Sequence, residues 1–145
     1  MKSIGIGILG CINLHTSRYQ ESIVNSPRAQ LVGISEEGAA AAVGRETAAD
    51  AGVPFFESHD DLLDLEGLDA VYLGNLPVDH LDAIKRAAER GIHVLCDKPL
   101  ATTLADAKEA ERIVSEAGIK MMVSFFPRSQ LPVRGTGVRR RRRTP

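Results

Sequence analysis

The sequence has 145 residues, 43% hydrophobic and 26% charged, with 18 basic against 19 acidic side chains. That composition excludes a disordered chain, a collagen-like repeat and a disulfide scaffold, and the length suits one domain around one core. Aromatics are 4% and Trp is absent, so Ala, Leu, Ile and Val must fill that core.

The near-neutral total hides an asymmetry. Residues 1–126 carry 11 basic and 19 acidic side chains, whereas 127–145 carry seven Arg and no acid. Cys11 and Cys96 are too few and too far apart for a disulfide framework, which points to a reducing compartment. No run of about 18 apolar residues exists, so no membrane span is expected. The apolar start is interrupted by Gly5, Gly7 and Gly10 and lacks a small-residue cleavage site. It therefore does not read as a signal peptide, and the expected location is cytoplasmic.

From the first residues, short apolar runs alternate with helix-forming stretches. Residues 4–9 predict a buried strand and 14–24 a helix stopped by Asn25-Ser26-Pro27. Residues 30–35 predict a second strand, and 39–51 an Ala-rich helix capped by Gly52. A short third strand comes next at 53–56. Ser58-His59-Asp60-Asp61 has the form of a capping box for a helix through 65. Residues 69–73 predict a fourth strand. Residues 78–90 predict an amphipathic helix with Leu81, Ile84, Ala87 and Ala88 on one face, ended by Gly91. A fifth strand is expected at 92–96, a helix from the capping box at Thr103 to Ala117, and a sixth strand at 119–125. Mostly apolar strands separated by helices argue for a parallel sheet covered on both faces. Right-handed crossovers make it an α/β, Rossmann-type, doubly wound sheet with strand order 3-2-1-4-5-6. Residues 127–145 carry no recognisable element and are expected to be a disordered, Arg-rich tail.

In such a sheet ligands bind beyond the carboxyl ends of the strands, where the strand order reverses. A literal G-x-G-x-x-G at Gly5, Gly7 and Gly10 lies mostly inside the first strand, whereas the motif must come after the strand. The better register starts at Gly10, which supplies the tight turn. Cys11, Ile12 and Asn13 come next, with amides near Ile12 and Asn13 able to face a pyrophosphate. Ile12 and His15 stand where the motif wants glycine and a small residue. Glu36, 26 residues after Gly10, ends the second strand at the spacing of an acid that binds adenosine ribose hydroxyls. An acid there repels a 2′-phosphate and favours NAD over NADP.

After the fifth strand comes Asp97-Lys98-Pro99, with Lys98 constrained by the proline next to it. Beside a nicotinamide, the Lys98 ammonium can hold a substrate hydroxyl or carbonyl oxygen. Cys96 reads as a small buried hydrophobe. The four histidines match no zinc spacing. His59 reads as a capping-turn residue, while His80 starts the helix after the fourth strand, near the mouth.

The segments ILGCIN, LVGISEE, DAVYLGNLPVDH and especially GIHVLCDKPLA together resemble the Gfo/Idh/MocA family of NAD(P)-dependent oxidoreductases, over about residues 3–128. HVLCDKPLA is the most specific piece, similar to that family's E-K-P signature with Asp97 for Glu. The resemblance implies that Lys98 is the catalytic residue, binding the substrate oxygen and assisting proton transfer. It puts Glu36 on the ribose, Asn75 and Leu76 near the nicotinamide, and His80 and Asp97 in the cofactor-binding set. It implies a small-molecule substrate, a sugar or polyol, oxidised at a CH–OH group. The family's C-terminal substrate domain has no counterpart in this sequence, so the chain reads as the cofactor-binding half, inactive when isolated. Two alternatives remain: a non-catalytic nucleotide-binding fragment, and nucleic-acid binding through the Arg run. The Arg run stands without interleaved aromatics, and a solvated tail explains it more simply.

Overall fold

The computed structural model describes residues 3–125, so the Arg-rich segment lies outside the described residues. All six expected strands form: β1 (Ile4–Leu9), β2 (Ala29–Ser35), β3 (Phe55–Phe56), β4 (Ala70–Leu73), β5 (His93–Cys96) and β6 (Met121–Val123). They make one sheet of order β3-β2-β1-β4-β5-β6, with every neighbouring pair parallel. The helices are α1 (Thr16–Val24), α2 (Ala41–Ala51, preceded by a 3-10 turn), α3 (His59–Leu63), α4 (His80–Glu89) and α5 (Leu104–Ala117).

Alternation of side chains along buried strands divides the core into two halves. Ile8, Ile34 and Tyr72 pack with Ile23 of α1 and Ala48 of α2 on one face. Leu9, Val71, Leu73, Val94 and Cys96 pack with Leu62, Ile84, Ala87 and Ala110 on the other. Neighbours such as Tyr72 and Leu73 thus serve opposite layers, which is why the strand runs are apolar without interruption. The expected face of α4 is the buried one: Ile84 and Ala87 are wholly inaccessible. Burying a side chain of Ile84's size contributes roughly 1.5–3 kcal/mol.

The local signals act as the residue types suggest. The Ser58 and Thr103 hydroxyls accept from the Asp60 and Asp106 amides, and Gly52 and Gly118 end α2 and α5 in the left-handed conformation. Gly5 and Gly7 serve packing rather than phosphate binding. A β-carbon on Gly7 would press on Leu62 and Leu68 at 3.0–3.3 Å, and one on Gly5 would collide with the Gly67 carbonyl.

α1 starts at Thr16, two residues later than its sequence suggests. The Asn13 amide is drawn to the Gly74 carbonyl at 3.0 Å, and the Asn13 Oδ1 accepts from the His15 amide at 2.9 Å. Those bonds keep residues 10–15 as a turn. Among the described residues no helix is long and apolar enough to cross a membrane.

Candidate functional site

Parallel strands β1, β4 and β5 end side by side, so the segments after Leu9, Leu73 and Cys96 meet at one edge of the sheet. Gly10 opens the first of these with φ +84°, and a β-carbon there would lie 2.6 Å from both the backbone nitrogen and the Cβ of Asn75. Only glycine gives that turn its direction while letting the β4 loop approach.

Glu36 is buried, and its Oε2 accepts from the Cys11 amide at 2.5 Å while Oε1 accepts from the Glu37 amide at 3.2 Å. A carboxylate offers about four lone-pair sites, so two remain for another donor. The acid therefore fixes the turn as well as lining the site. Cys11 beneath it is held neutral: burial first, then the Glu36 charge, push its thiol up to about 12.

A cavity of about 400 Å³ opens at this edge, lined by Ile12, Glu36, Glu37, Ala39, Ala40, His59, Asn75 and the α4 residues Asp82, Ala83 and Arg86, with Asp79 beside them. Its size falls in the range of small-molecule sites. The Asn75 Oδ1 is buried here without a hydrogen-bond partner, and Leu76 next to it is about half exposed. A larger groove between α1 and α2, about 680 Å³, shares Cys11, Ile12 and Asn13 with the same turn. The pyrophosphate expectation needs one adjustment, because the Cys11 and Asn13 amides are engaged by Glu36 and Gly74.

Lys98 is exposed just beyond β5, and its bond to Pro99 is cis. Two residues expected in contact with a cofactor stand behind the site instead. His80 is fully buried, with Nδ1 3.0 Å from the Pro99 carbonyl and Nε2 3.3 Å from the Asn75 carbonyl. It clamps the β4 loop to the Lys98-Pro99 loop, and the ring has no surface left for a ligand. Asp97 is 1% exposed, and its Oδ2 accepts from the His15 Nδ1 at 2.8 Å. Both departures have one cause: β5 is an interior strand, and the loop after it is covered by α4 on one face and the first turn on the other.

Around Asp97 lies a polar cluster that periodicity does not reveal. Tyr19 stacks on Tyr72 at 4.4 Å between centroids, and its hydroxyl bonds the Ser124 hydroxyl. The Asp97 Oδ1 is buried without a partner, and the Tyr72 and Thr16 hydroxyls are buried against each other. Burial, reinforced by the Asp97 charge, raises the Tyr72 phenol above its ordinary range and keeps it protonated. Cys96 is likewise pushed up to about 12 by burial and then by Asp97, which disfavours the thiolate form at neutral pH.

Sequence reasoning also missed His59 and Arg86 as cavity residues. His59 comes just after the Ser58 cap, yet its Nδ1 lies 2.8 Å from the Ser35 hydroxyl and its ring lines the cavity. Burial lowers its pKa, with Glu37 the largest opposing influence. A histidine just after the capping serine was the available signal.

The sheet order, the glycine turn after β1 and the acid after β2 define a dinucleotide-binding α/β domain. The oxidoreductase family with an NAD-binding Rossmann fold (GFO_IDH_MocA) matches residues 4–125, and the chain belongs to that family. It is 35% identical to the D-xylose 1-dehydrogenase (NADP(+)) 2 of Haloferax volcanii over 124 residues, 84% of this chain and 37% of that protein. It is 30% identical to the scyllo-inositol 2-dehydrogenase (NAD(+)) of Bacillus subtilis over 123 residues, 83% of this chain and 35% of that protein. It superposes with a TM-score of 0.77 on the 3-ketoreductase KijD10 of Actinomadura kijaniata, solved with TDP-benzene and NADP. That match has 27% identity and covers 86% of this chain and 39% of KijD10. The chain spans a little over a third of the length of these relatives. Their names include both NAD and NADP.

Proposed function

We propose that the described residues form the cofactor-binding half of an NAD(P)-dependent oxidoreductase acting on a CH–OH group of a sugar or polyol, with NAD preferred. The observation that carries this is the Gly10 turn beside the buried Glu36 at the switch point of the sheet, with Lys98 exposed after β5 at the same edge. The cradle suits a dinucleotide. The turn admits no side chain, the cavity is of ligand size, and the Asn75 Oδ1 and two Glu36 lone-pair sites await donors. Relatives named for xylose and inositol support the substrate class.

The nicotinamide, when bound, supplies the hydride acceptor or donor. Everything else falls to the chain. The turn at residues 10–13, whose Cys11 and Asn13 amides are already engaged, would border the nucleotide beside Glu36, with Glu36 accepting from ribose hydroxyls. Asn75 and Leu76 would border the nicotinamide. Lys98 would hold the substrate oxygen by its ammonium, keeping it oriented and sharing its proton as the carbon changes oxidation state. His80 would keep the Asn75 and Lys98 loops in register, and Asp97 would do so through His15. An acidic cavity disfavours a 2′-phosphate, which supports NAD over NADP.

A polypeptide of these 145 residues alone is expected to bind cofactor and turn over nothing. Reaction requires the two reacting atoms about 3–3.5 Å apart, and loss of that positioning forfeits on the order of 7–11 kcal/mol of barrier reduction. The described residues wall only the cofactor side. The test is calorimetric titration of the purified chain with NADH, then an NAD-reduction assay across sugars and polyols with Lys98→Ala as control. Saturable NADH binding without turnover is expected. Absence of binding would sink the cofactor reading, and Lys98-dependent turnover would overturn the need for a second wall.

A further inference from the structure

Among the described residues one guanidinium, Arg86 of α4, lines the cavity that Glu36 and Glu37 also line. Its side chain is about one-third exposed, and three carboxylates surround it. They do not hold it equally. Asp82, four residues earlier on α4, takes Nε at 2.8 Å, a hydrogen-bonding distance. Glu37 and Asp60 face Nη1 at 3.5 and 3.6 Å, which is charge contact without a good hydrogen bond. Asp82 therefore anchors the guanidinium, while the Nη1 contacts are the kind a better acceptor displaces.

Glu37 has a second attachment, since its Oε1 accepts from the His59 amide at 2.7 Å. It is thereby held between α3 and α4 where it cancels the Arg86 charge. Glu36, by contrast, is turned onto the Cys11 amide. Two acids thus stand after β2, with different work: one fixes the glycine turn and the other neutralises the cation.

We infer that Arg86 is a latent reader of a ribose 2′-phosphate and that Glu37, by occupying it, makes the cavity choose the unphosphorylated dinucleotide. This rests on the cofactor reading above and assigns its NAD preference to a pair of residues. A phosphate monoester carries about −1.5 to −2 charges and bonds a guanidinium fork through two oxygens. Facing Glu36, Glu37, Asp79 and Asp82, it meets net repulsion. With Glu37 uncharged, the carboxylate left against Nη1 of Arg86 is Asp60, at 3.6 Å and drawn to Arg90 at 3.1 Å, so a phosphate oxygen can take Nη1 at bonding distance.

The test is titration of the full chain with NADH, NADPH and the nicotinamide-free 2′-phospho-ADP-ribose, at low and high salt. The variants are Glu37→Gln, Arg86→Gln, the Glu37→Gln/Arg86→Gln double and a Glu37→Gln/Arg86→Lys pair, each checked by thermal unfolding. Glu37→Gln should raise affinity for NADPH relative to NADH roughly ten- to a hundredfold, the worth of a charged hydrogen bond. The double variant should lose that gain, and 2′-phospho-ADP-ribose should track NADPH. Arg86→Lys with Glu37→Gln should keep only the salt-sensitive part, because a lysine has the charge but no fork. An unchanged NADPH:NADH ratio in Glu37→Gln, or a gain that persists without Arg86, would overturn the inference. Failure of every nucleotide to bind the wild-type chain would instead strike the cofactor reading on which it stands.

Discussion

Gly10→Ala tests the geometry of the turn with the smallest possible perturbation. At φ +84° an alanine sits in the left-handed region, at a cost of about 1–2 kcal/mol. Its β-carbon would also lie 2.6–2.7 Å from the N, Cα and Cβ of Asn75, mostly backbone that cannot rotate away. Overpacking of that kind costs about 1–3 kcal/mol more. A stiffer unfolded chain offsets less than about 1 kcal/mol. The expected net loss is therefore ~2–4 kcal/mol, a fall in Tm on the order of 8–16 °C for a domain of this size. Gly52→Ala is the matched control, with φ +67° and nothing within 4 Å of the added carbon, so it loses the conformational cost alone. The assay is urea unfolding by circular dichroism on both variants, with NADH titration of whatever remains folded. Displacing Asn75 should weaken NADH binding in Gly10→Ala and leave it intact in Gly52→Ala. Equal destabilisation of the two variants would refute the close approach of the β1 and β4 loops.

Three further outcomes are expected. The His59 pKa lies below 6.5 in the fold because of burial, so the unfolded chain binds a proton first as pH falls. Stability should decline from pH 6.5 downward until the folded imidazole titrates, and His59→Gln should flatten that part of the urea-midpoint profile; an unchanged slope would refute it. With both thiols pushed up to about 12, Cys11 and Cys96 should resist a disulfide reagent in the native chain at pH 8 and react fully in urea, and rapid native labelling would contradict the burial argument. His15→Ala should destabilise by about 2–3 kcal/mol, discounted for partial exposure, because it strands the buried Asp97 carboxylate. Adding Asp97→Asn should recover part of that loss, and an additive double variant in a urea-unfolding cycle would show that the pair is not coupled.

The layer structure was legible because it depends on signals that lie within a few residues of each other. Apolar runs gave the strands, Ser58 and Thr103 gave helix starts, Gly52 and Gly118 gave helix ends, handedness gave a doubly wound sheet, and the Rossmann-type arrangement gave the order. Element edges were less legible where a long-range bond decided them. The late start of α1 comes from the Asn13 amide choosing the Gly74 carbonyl, a partner 61 positions on. The sequence puts His80 at the correct edge of the sheet but on the wrong side of its loop. Sequence position says that a side chain is near the mouth, not whether the next strand's loop covers it.

The clearest case is a pair of irregularities that look independent along the chain. His15 stands where the turn motif wants a small residue, and Asp97 stands where the family signature has Glu. Taken singly, each weakens the assignment of its own segment. In the fold they are one contact, His15 Nδ1 to Asp97 Oδ2 at 2.8 Å, joining the first turn to the loop that carries Lys98. An imidazole is long enough to reach a short carboxylate sunk at the end of an interior strand, and that carboxylate, 1% exposed, needs such a donor. Neither residue makes physical sense at its site without the other. The 82 positions between them hide the coupling from any reading of local pattern, while the parallel order of β1, β4 and β5 requires their loops to meet.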